Sequence, residues 1–251
     1  MNFAYFLFLV FWNIFLKIFC KLTYANEVYK KASFRLCNEA KDTNWFDSIT
    51  NYSPIDLDDN FKEKFKNLLN KRGAGYWIWK SYIIKKKLQE IDENDILIYM
   101  DAGCTINSNG EKRFYEYIDL LNNSNEGVLS FQLKNKHIEK IWTTKEIFEH
   151  FNINLDSTVA NSPQILSTVR VMKKNENLIR LIDIEYNTYI NNPLLVTDHY
   201  NKTQESYFID NRHDQSIFSI IRKLSKEPIL LSDETNPVRK NYPFWATRKR
   251  S

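Results

Sequence analysis

Glycine is scarce in this chain, five in 251 residues, while asparagine, lysine and isoleucine abound. Such compositional drift strips the sheer number of Asn or Lys residues of functional meaning. Cysteine is scarcer still: Cys20, Cys37 and Cys104 are odd in number and far apart. They offer neither a disulfide framework nor the paired spacing of a zinc site, and nothing in them points to an oxidising compartment. A strong excess of one charge is missing too. The formal net charge of +4 suits anionic small ligands but is too small to argue for nucleic acid, so no nucleic-acid partner is expected. No phosphate loop of the Walker type, internal repeat or long linker is present. No Ser-His-Asp order can be assembled, and Cys104 has no histidine beside it to make it a nucleophile.

What is present is a globular composition, 43% hydrophobic and 15% aromatic. The first 19 residues are nearly all apolar, interrupted by Asn13 and Lys17. A helix needs roughly 17–25 residues to cross a bilayer, so residues 1–19 read as a short uncleaved membrane anchor and 20–251 as the domain. A signal-peptide cut after Thr23-Tyr24-Ala25 meets the small-residue rule but would remove a strand expected over Lys21 to Ala25. Lys17, Lys21, Lys30 and Lys31 favour the cytoplasmic face for the domain. A non-functional extension is the competing reading of these 19 residues.

Helical and strand periods then alternate along the chain. Helices are expected over Glu27 to Lys41 (Val28, Ala32, Leu36 and Ala40 on one face), around Phe61 and Phe65, and from Tyr82 to Ile91 with Lys85, Lys86 and Lys87 facing water. Further helices are expected over Phe114 to Leu121, after a Thr143–Glu146 capping box, from about Asn175 to Ile190, and after Asp214. Strands are expected at Trp45 to Thr50, Ile96 to Met100, Gly127 to Leu133 and Ser167 to Met172. This alternation predicts one α/β domain.

The densest chemistry lies in Arg72-Gly73-Ala74-Gly75-Tyr76-Trp77-Ile78-Trp79-Lys80 and, past a helix and a strand, in Asp101-Ala102-Gly103-Cys104. The glycine pair is a fragment of a dinucleotide fingerprint, but Ile78 holds the sixth position and a helix precedes it, so that reading fails. Arg72 and Lys80 flank the loop as two cations suited to a phosphate or carboxylate. Tyr76, Trp77 and Trp79 either plug the core or shape a pocket. Asp101 follows the carboxyl end of a buried strand, where open α/β sheets place ligand groups. It either caps the loop or holds a divalent ion bridging a diphosphate, with Gly103 allowing close backbone approach. Asp214, between His213 and Gln215, is either a first-turn acid or a group that orients a hydroxyl. The tail carries Arg248, which reaches such a site if it folds back.

Together with Leu22-Thr23-Tyr24-Ala25, Tyr99-Met100, Trp142-Thr143-Thr144-Lys145 and Arg212 through Ser219, these motifs resemble small glycosyltransferase-like proteins of the GT-A fold from bacterial and viral surface-polysaccharide gene sets. The resemblance runs from about Lys21 to Arg250. It implies a single GT-A-like, Rossmann-related domain whose central mixed, mostly parallel sheet is flanked by helices. It also implies transfer of a sugar from a nucleoside diphosphate sugar to a glycan or lipid-linked acceptor. Asp101 would then stand at the metal-binding acid position, with Mn2+ or Mg2+ as cofactor and Gly103 where the fold usually has a second acid. Thr23, Tyr24 and Ala25 would face the base. Asp101, Asp214 and His213 would form the catalytic set. Arg72, Gly73, Gly75, Tyr76, Trp77, Trp79, Lys80, Gly103, Gln215 and Arg248 would bind substrate. The rivals are a non-catalytic relative that only binds glycan or nucleotide sugar, and a hydrolase with a metal on Asp101, Asp198 and His213.

Overall fold

The computed structural model describes residues 18–200, 203–237 and 240–251. Six strands form the central sheet: β1 (Phe19–Tyr24), β2 (Ser48–Tyr52), β3 (Ile96–Met100), β5 (Val128–Gln132), β6 (Val169–Lys173) and β7 (Ile229–Ser232). Their order is β2-β1-β3-β6-β5-β7. β6 alone runs against its neighbours, and the other pairings are parallel. A separate two-stranded ladder joins β4 (Thr105–Ile106) to β8 (Phe244–Trp245) near the carboxyl terminus.

The period of two in the strands decides which helix covers which face. Ile96, Ile98 and Met100 of β3 pack with Leu36 and Ala40 of α1 (Lys30–Thr43) and with Phe114, Tyr117, Ile118 and Leu121 of α4 (Glu111–Asn122). Leu97 and Tyr99 face the other way. They join the core shared by Phe61 and Phe65 of α2 (Asp59–Phe65), Ile83 and Leu88 of α3 (Trp79–Glu90), Leu178 and Ile182 of α7 (Glu176–Asn191), and Ile217 and Phe218 of α8 (Asp214–Lys223). Two short helices, α5 (Lys145–His150) and α6 (Thr158–Asn161), cover the ground between β5 and β6. The result is the α/β sandwich expected from the alternation, with a mixed, mostly parallel sheet between helical layers.

Several local expectations are corrected. Val28 belongs to a 3-10 turn ahead of α1 and is 62% exposed, so it takes no part in the buried face. The cap of α5 is Thr144, whose hydroxyl accepts from the Ile147 amide, while the Thr143 hydroxyl donates to Glu139. Lys87 is buried beside Glu90, and Lys85 and Lys86 lie over the rings of Tyr186 and Tyr52 instead of facing open water.

The membrane-spanning segment expected over residues 1–19 is also corrected. Among the described residues no helix is long and apolar enough to cross a membrane. Ile18 and Phe19 lie at the start of the interior strand β1: the Ile18 amide donates to Asp95 and its carbonyl accepts from Ile96. Residues 1–17 lie outside the described residues.

One buried cation in this core stands apart from the site. Lys21 on β1 points into the α1 face with Cys37 Sγ, 3.5 Å away, as its hydrogen-bond partner. Burial lowers its pKa to about 8 from an ordinary 10.5, with Cys37 opposing the shift. Below pH 8 both folded and unfolded chains hold this proton, so the native state bears the full penalty. Between about 8 and 10.5 only the unfolded chain holds it, and stability rises with pH. Lys21→Met is therefore expected to raise stability at pH 7 by on the order of 2 kcal/mol and to flatten that rise. Urea melts at pH 7 and pH 10 check this; a variant less stable than the parent at pH 7 contradicts it.

Candidate active site

The turn that carries two of the glycines is left-handed. Gly73, Ala74, Gly75, Tyr76 and Trp77 have φ of 63, 53, 99, 53 and 61°. For the non-glycine residues this conformation costs roughly 1–2 kcal/mol each, and such strain gathers at functional sites. A Cβ on Gly73 would meet the Trp77 ring at 2.6 Å, so glycine is required there. Opposing the strain, the Trp79 indole donates to the Gly73 carbonyl at 3.0 Å and the Ile78 amide to Gly75 at 3.0 Å. The turn ends by aiming Lys80, in the first turn of α3, beneath the carboxyl edge of the sheet.

There Lys80 is 1% exposed and bridges two acids. Its ammonium lies 2.7 Å from Asp214 Oδ2 and 3.2 Å from Asp101 Oδ1. Burial opposes its charge, but Asp101 and Asp214 outweigh it and hold the lysine above its ordinary pKa. The Tyr99 hydroxyl donates to Asp101 Oδ1 at 2.6 Å, and Ser167 Oγ donates to Asp214 Oδ2 at 2.6 Å. Behind them Arg170 donates to Ser167 Oγ at 2.8 Å and makes a bidentate pair with Glu185 at 2.6 and 2.8 Å. Two cations and three carboxylates thus form one network, mostly out of water, that leaves the outer oxygen of Asp101 towards solvent.

Above this network opens a cavity of about 780 Å³. It follows the sheet edge from Tyr24, Ala25 and Tyr29 after β1, past Asp101 and Gly103 after β3 and Ser167 before β6, to Trp142 and Arg212. At the β1 end Tyr24 stacks on Trp79 with centroids 3.9 Å apart. The basic tail does fold back, and its Arg248 lines the wall. Gly103 serves this tail: the Lys249 amide and Thr247 hydroxyl donate to its carbonyl at 2.9 and 2.8 Å. A Cβ on Gly103 would lie 3.0 Å from the Lys249 carbonyl oxygen, so the close approach expected there is made by the chain itself.

Of the residues singled out from sequence, Tyr24, Ala25, Arg72, Gly73, Trp77, Trp79, Lys80, Asp101, Gly103, His213, Asp214, Gln215 and Arg248 line one cavity. Thr23 lies below it, fully buried, its hydroxyl donating to the Met100 carbonyl. Gly75 is packed against Leu69, and Tyr76 lies against the His213 ring. His213 has φ of 56° and its ring stacks on Trp77. Its Nδ1 meets the Val196 carbonyl at 3.1 Å and its Nε2 faces Asp198 at 3.5 Å, while burial lowers its pKa. Nδ1 is therefore committed, whereas Nε2 is buried without a hydrogen-bond partner among the described residues, and the ring packs on Trp77 at the cavity wall. The Gln215 amide is likewise committed, donating to Gln164 at 2.9 Å.

Sequence reading passed over Tyr99, Ser167, Arg170 and Glu185. Two signals were there to be used. Arg170 interrupts an apolar strand, and Glu185 occupies the stripe Leu178, Leu181, Ile182, Tyr189 that α7 buries. Charged residues at such positions are rarely fully buried unless paired.

A divalent ion can be tested against this donor set. Among the described residues no three His, Cys, Asp or Glu side chains gather at a possible metal position, and Asp198 meets His213 but not Asp101. The ligand set of a hydrolase on those three residues is therefore not assembled. Asp101 Oδ1 is taken by Tyr99 and Lys80, which leaves Oδ2 on a side chain 30% exposed. One carboxylate oxygen suits an ion that draws its other ligands from substrate phosphates and water.

No protein-family model and no curated protein matches the chain. Solved structures do. One is a glycosyltransferase involved in the glycosylation of the major capsid of PBCV-1, 11% identical over 91% of this chain and 93% of that one, with a TM-score of 0.52. The chain has a GT-A-like fold. The galactosyltransferase LgtC in complex with donor and acceptor sugar analogs is similar at 10% identity over 91% of this chain and 86% of that chain, TM-score 0.47. Mouse xyloside xylosyltransferase 1 is similar at 12% identity over 85% and 71%, TM-score 0.43. At these identities the likeness concerns the GT-A-like architecture.

Proposed function

We propose that the chain is a glycosyltransferase that moves a sugar from a nucleoside diphosphate sugar to a hydroxyl on a glycan or lipid-linked acceptor, in surface polysaccharide or glycoconjugate synthesis. The observation that carries the reading is Lys80 bridging Asp101 and Asp214 on the floor of a cation-lined cavity. In transfer, the bond from the anomeric carbon to the diphosphate oxygen breaks and its electron pair leaves with the phosphate. The acceptor oxygen bonds to the anomeric carbon and gives up its proton. Negative charge grows on the leaving diphosphate, and fixed cations aimed at that charge stabilise the transition state. Arg72, Arg248 and Lys80 are the cations so placed. A divalent ion held on the outer oxygen of Asp101 would neutralise more of the same charge when bound.

The aromatic pair Tyr24 and Trp79, with Ala25 beside it, suits the nucleoside end. Asp214, whose Oδ2 is fixed by Lys80 and Ser167, is the carboxylate positioned to orient a sugar hydroxyl. Trp77, held by His213, forms the cavity wall over the sugar.

The test is a thermal-shift screen of the purified chain against nucleotide sugars, with and without manganese, followed by an assay for released nucleoside diphosphate. One donor should stabilise the protein and be slowly cleaved. Stabilisation without release even with candidate acceptors would favour a binding protein, and no response from folded protein would sink the reading. The tail gives a further prediction. Gly103→Ala should displace Arg248 and weaken nucleoside diphosphate binding at least about tenfold, the loss of roughly one charge-assisted hydrogen bond, with the fold retained. Titration calorimetry with UDP and GDP checks it, and unchanged affinity contradicts it.

A further inference from the structure

The cavity has a second cationic end that the transfer of charge to a leaving diphosphate does not use. Arg212 is half-buried, with its guanidinium centre 3.9 Å from the centroid of the Trp142 ring. Its side-chain contact beyond that ring is Nη2 to His137 Nδ1, at 3.4 Å. A guanidinium has five N–H donors, so most of them are left for another group. Among the described residues no carboxylate lies within ion-pair distance; the nearby Asp210 pairs with Arg72 at 3.9 Å. Burial, and then Arg248, lower the pKa of Arg212 while Asp210 opposes them, and burial followed by Arg212 lowers that of His137. A half-buried guanidinium held over an indole with most of its donors uncommitted is suited to an oxyanion.

Position separates this site from the leaving group. His137 and Trp142 belong to the segment that follows β5, whereas Asp101 follows β3. β6 lies between those strands, so His137 and Trp142 enter the cavity from a different part of the sheet than Asp101 does. A donor whose base sits against Tyr24 beyond β1 brings its diphosphate over β3, beside Arg248 and Asp101. The anion that reaches Arg212 then belongs to the other substrate. We propose that Arg212, stacked on Trp142, binds a carboxylate or phosphate carried by the acceptor, so that the acceptor is an anionic glycan. This rests on the transferase reading given above and names the substrate class for its acceptor side.

The test uses the full chain saturated with whichever of UDP and GDP binds it, titrated with methyl glucoside, methyl glucuronide and glucose 6-phosphate. The two anionic sugars should bind at least about tenfold more tightly than the neutral one. Arg212→Gln should bring all three within about twofold and leave nucleotide affinity unchanged. Arg212→Lys, which keeps the charge without the planar fork, should retain part of the preference and shows that the loss in the first variant is not misfolding. Equal binding of charged and neutral sugars in the nucleotide-bound protein overturns the proposal alone. A fall in nucleotide affinity matching the fall in sugar affinity assigns Arg212 to the donor diphosphate and also overturns it. Failure of the parent protein to bind either nucleotide overturns the transferase reading and this proposal together.

Discussion

Lys80→Met is expected to destabilise the protein by about 3–5 kcal/mol and to lower turnover at least about a hundredfold. The stability loss follows from what is left behind. Lys80 is the cation between Asp101 and Asp214, and methionine fills its volume without its charge. Asp214 would then have Arg170 as its remaining cation, at 4.0 Å, and Arg170 is already engaged in two bonds to Glu185. Buried Asp214 would lose its nearest cation while Asp101, 30% exposed, keeps some contact with water, and an orphaned buried carboxylate is far costlier than a lost surface pair. The double variant Lys80→Met, Asp214→Asn should recover part of the loss, because it removes one orphaned charge; groups sharing a network are not additive. Chemical denaturation of the parent, both single variants and the pair measures this coupling. Additive losses would mean that Lys80 and Asp214 do not act as a unit.

Asp214→Asn alone is expected to separate chemistry from binding. Asparagine preserves the shape and can still accept from Ser167, so the fold should survive at a cost of about 1–3 kcal/mol. The charge that orients the sugar hydroxyl is lost, and kcat should fall about 10²–10⁴-fold. Nucleoside diphosphate affinity should stay within about threefold, since the cations assigned to the phosphates in the proposed reaction, Arg72 and Arg248, line the cavity apart from the Lys80–Asp214 pair. Steady-state kinetics on the cleaved donor, beside calorimetry with the nucleotide, give both numbers. A variant with normal kcat would remove Asp214 from the mechanism, whereas a matched loss of kcat and nucleotide affinity would place it under the diphosphate.

Both predictions turn on residues whose importance was unevenly legible in the chain. The Arg72 to Lys80 loop and Asp101 could be found from glycine, aromatic and charge density alone. An acid after a buried strand lies where α/β sheets place ligand groups, although a lone Asp there also serves as a loop cap. That Lys80 would pair with both Asp101 and Asp214 was not legible, because 134 residues separate Lys80 from Asp214 and sequence spacing carries no information at that range. Gly103 shows the same limit: its need for space was readable, and the occupant, the chain's own tail, was not. His213 stood out for its position in a polar run, but that its Nδ1 would meet the Val196 carbonyl and leave Nε2 buried without a hydrogen-bond partner among the described residues was not legible.

The sequence by itself determined the α/β alternation, the buried strand Ile96–Met100, and the cationic, acidic and aromatic residue types that line the cavity. These are local properties: apolar period, turn chemistry and strand burial are fixed by neighbours within a few positions. Only the tertiary structure decided the antiparallel placement of β6, the return of the tail over Gly103, the burial of Arg170 with Glu185, and the packing of Arg212 over Trp142. Each of those depends on which distant segments share the sheet edge, and that is settled by the packing of the whole core.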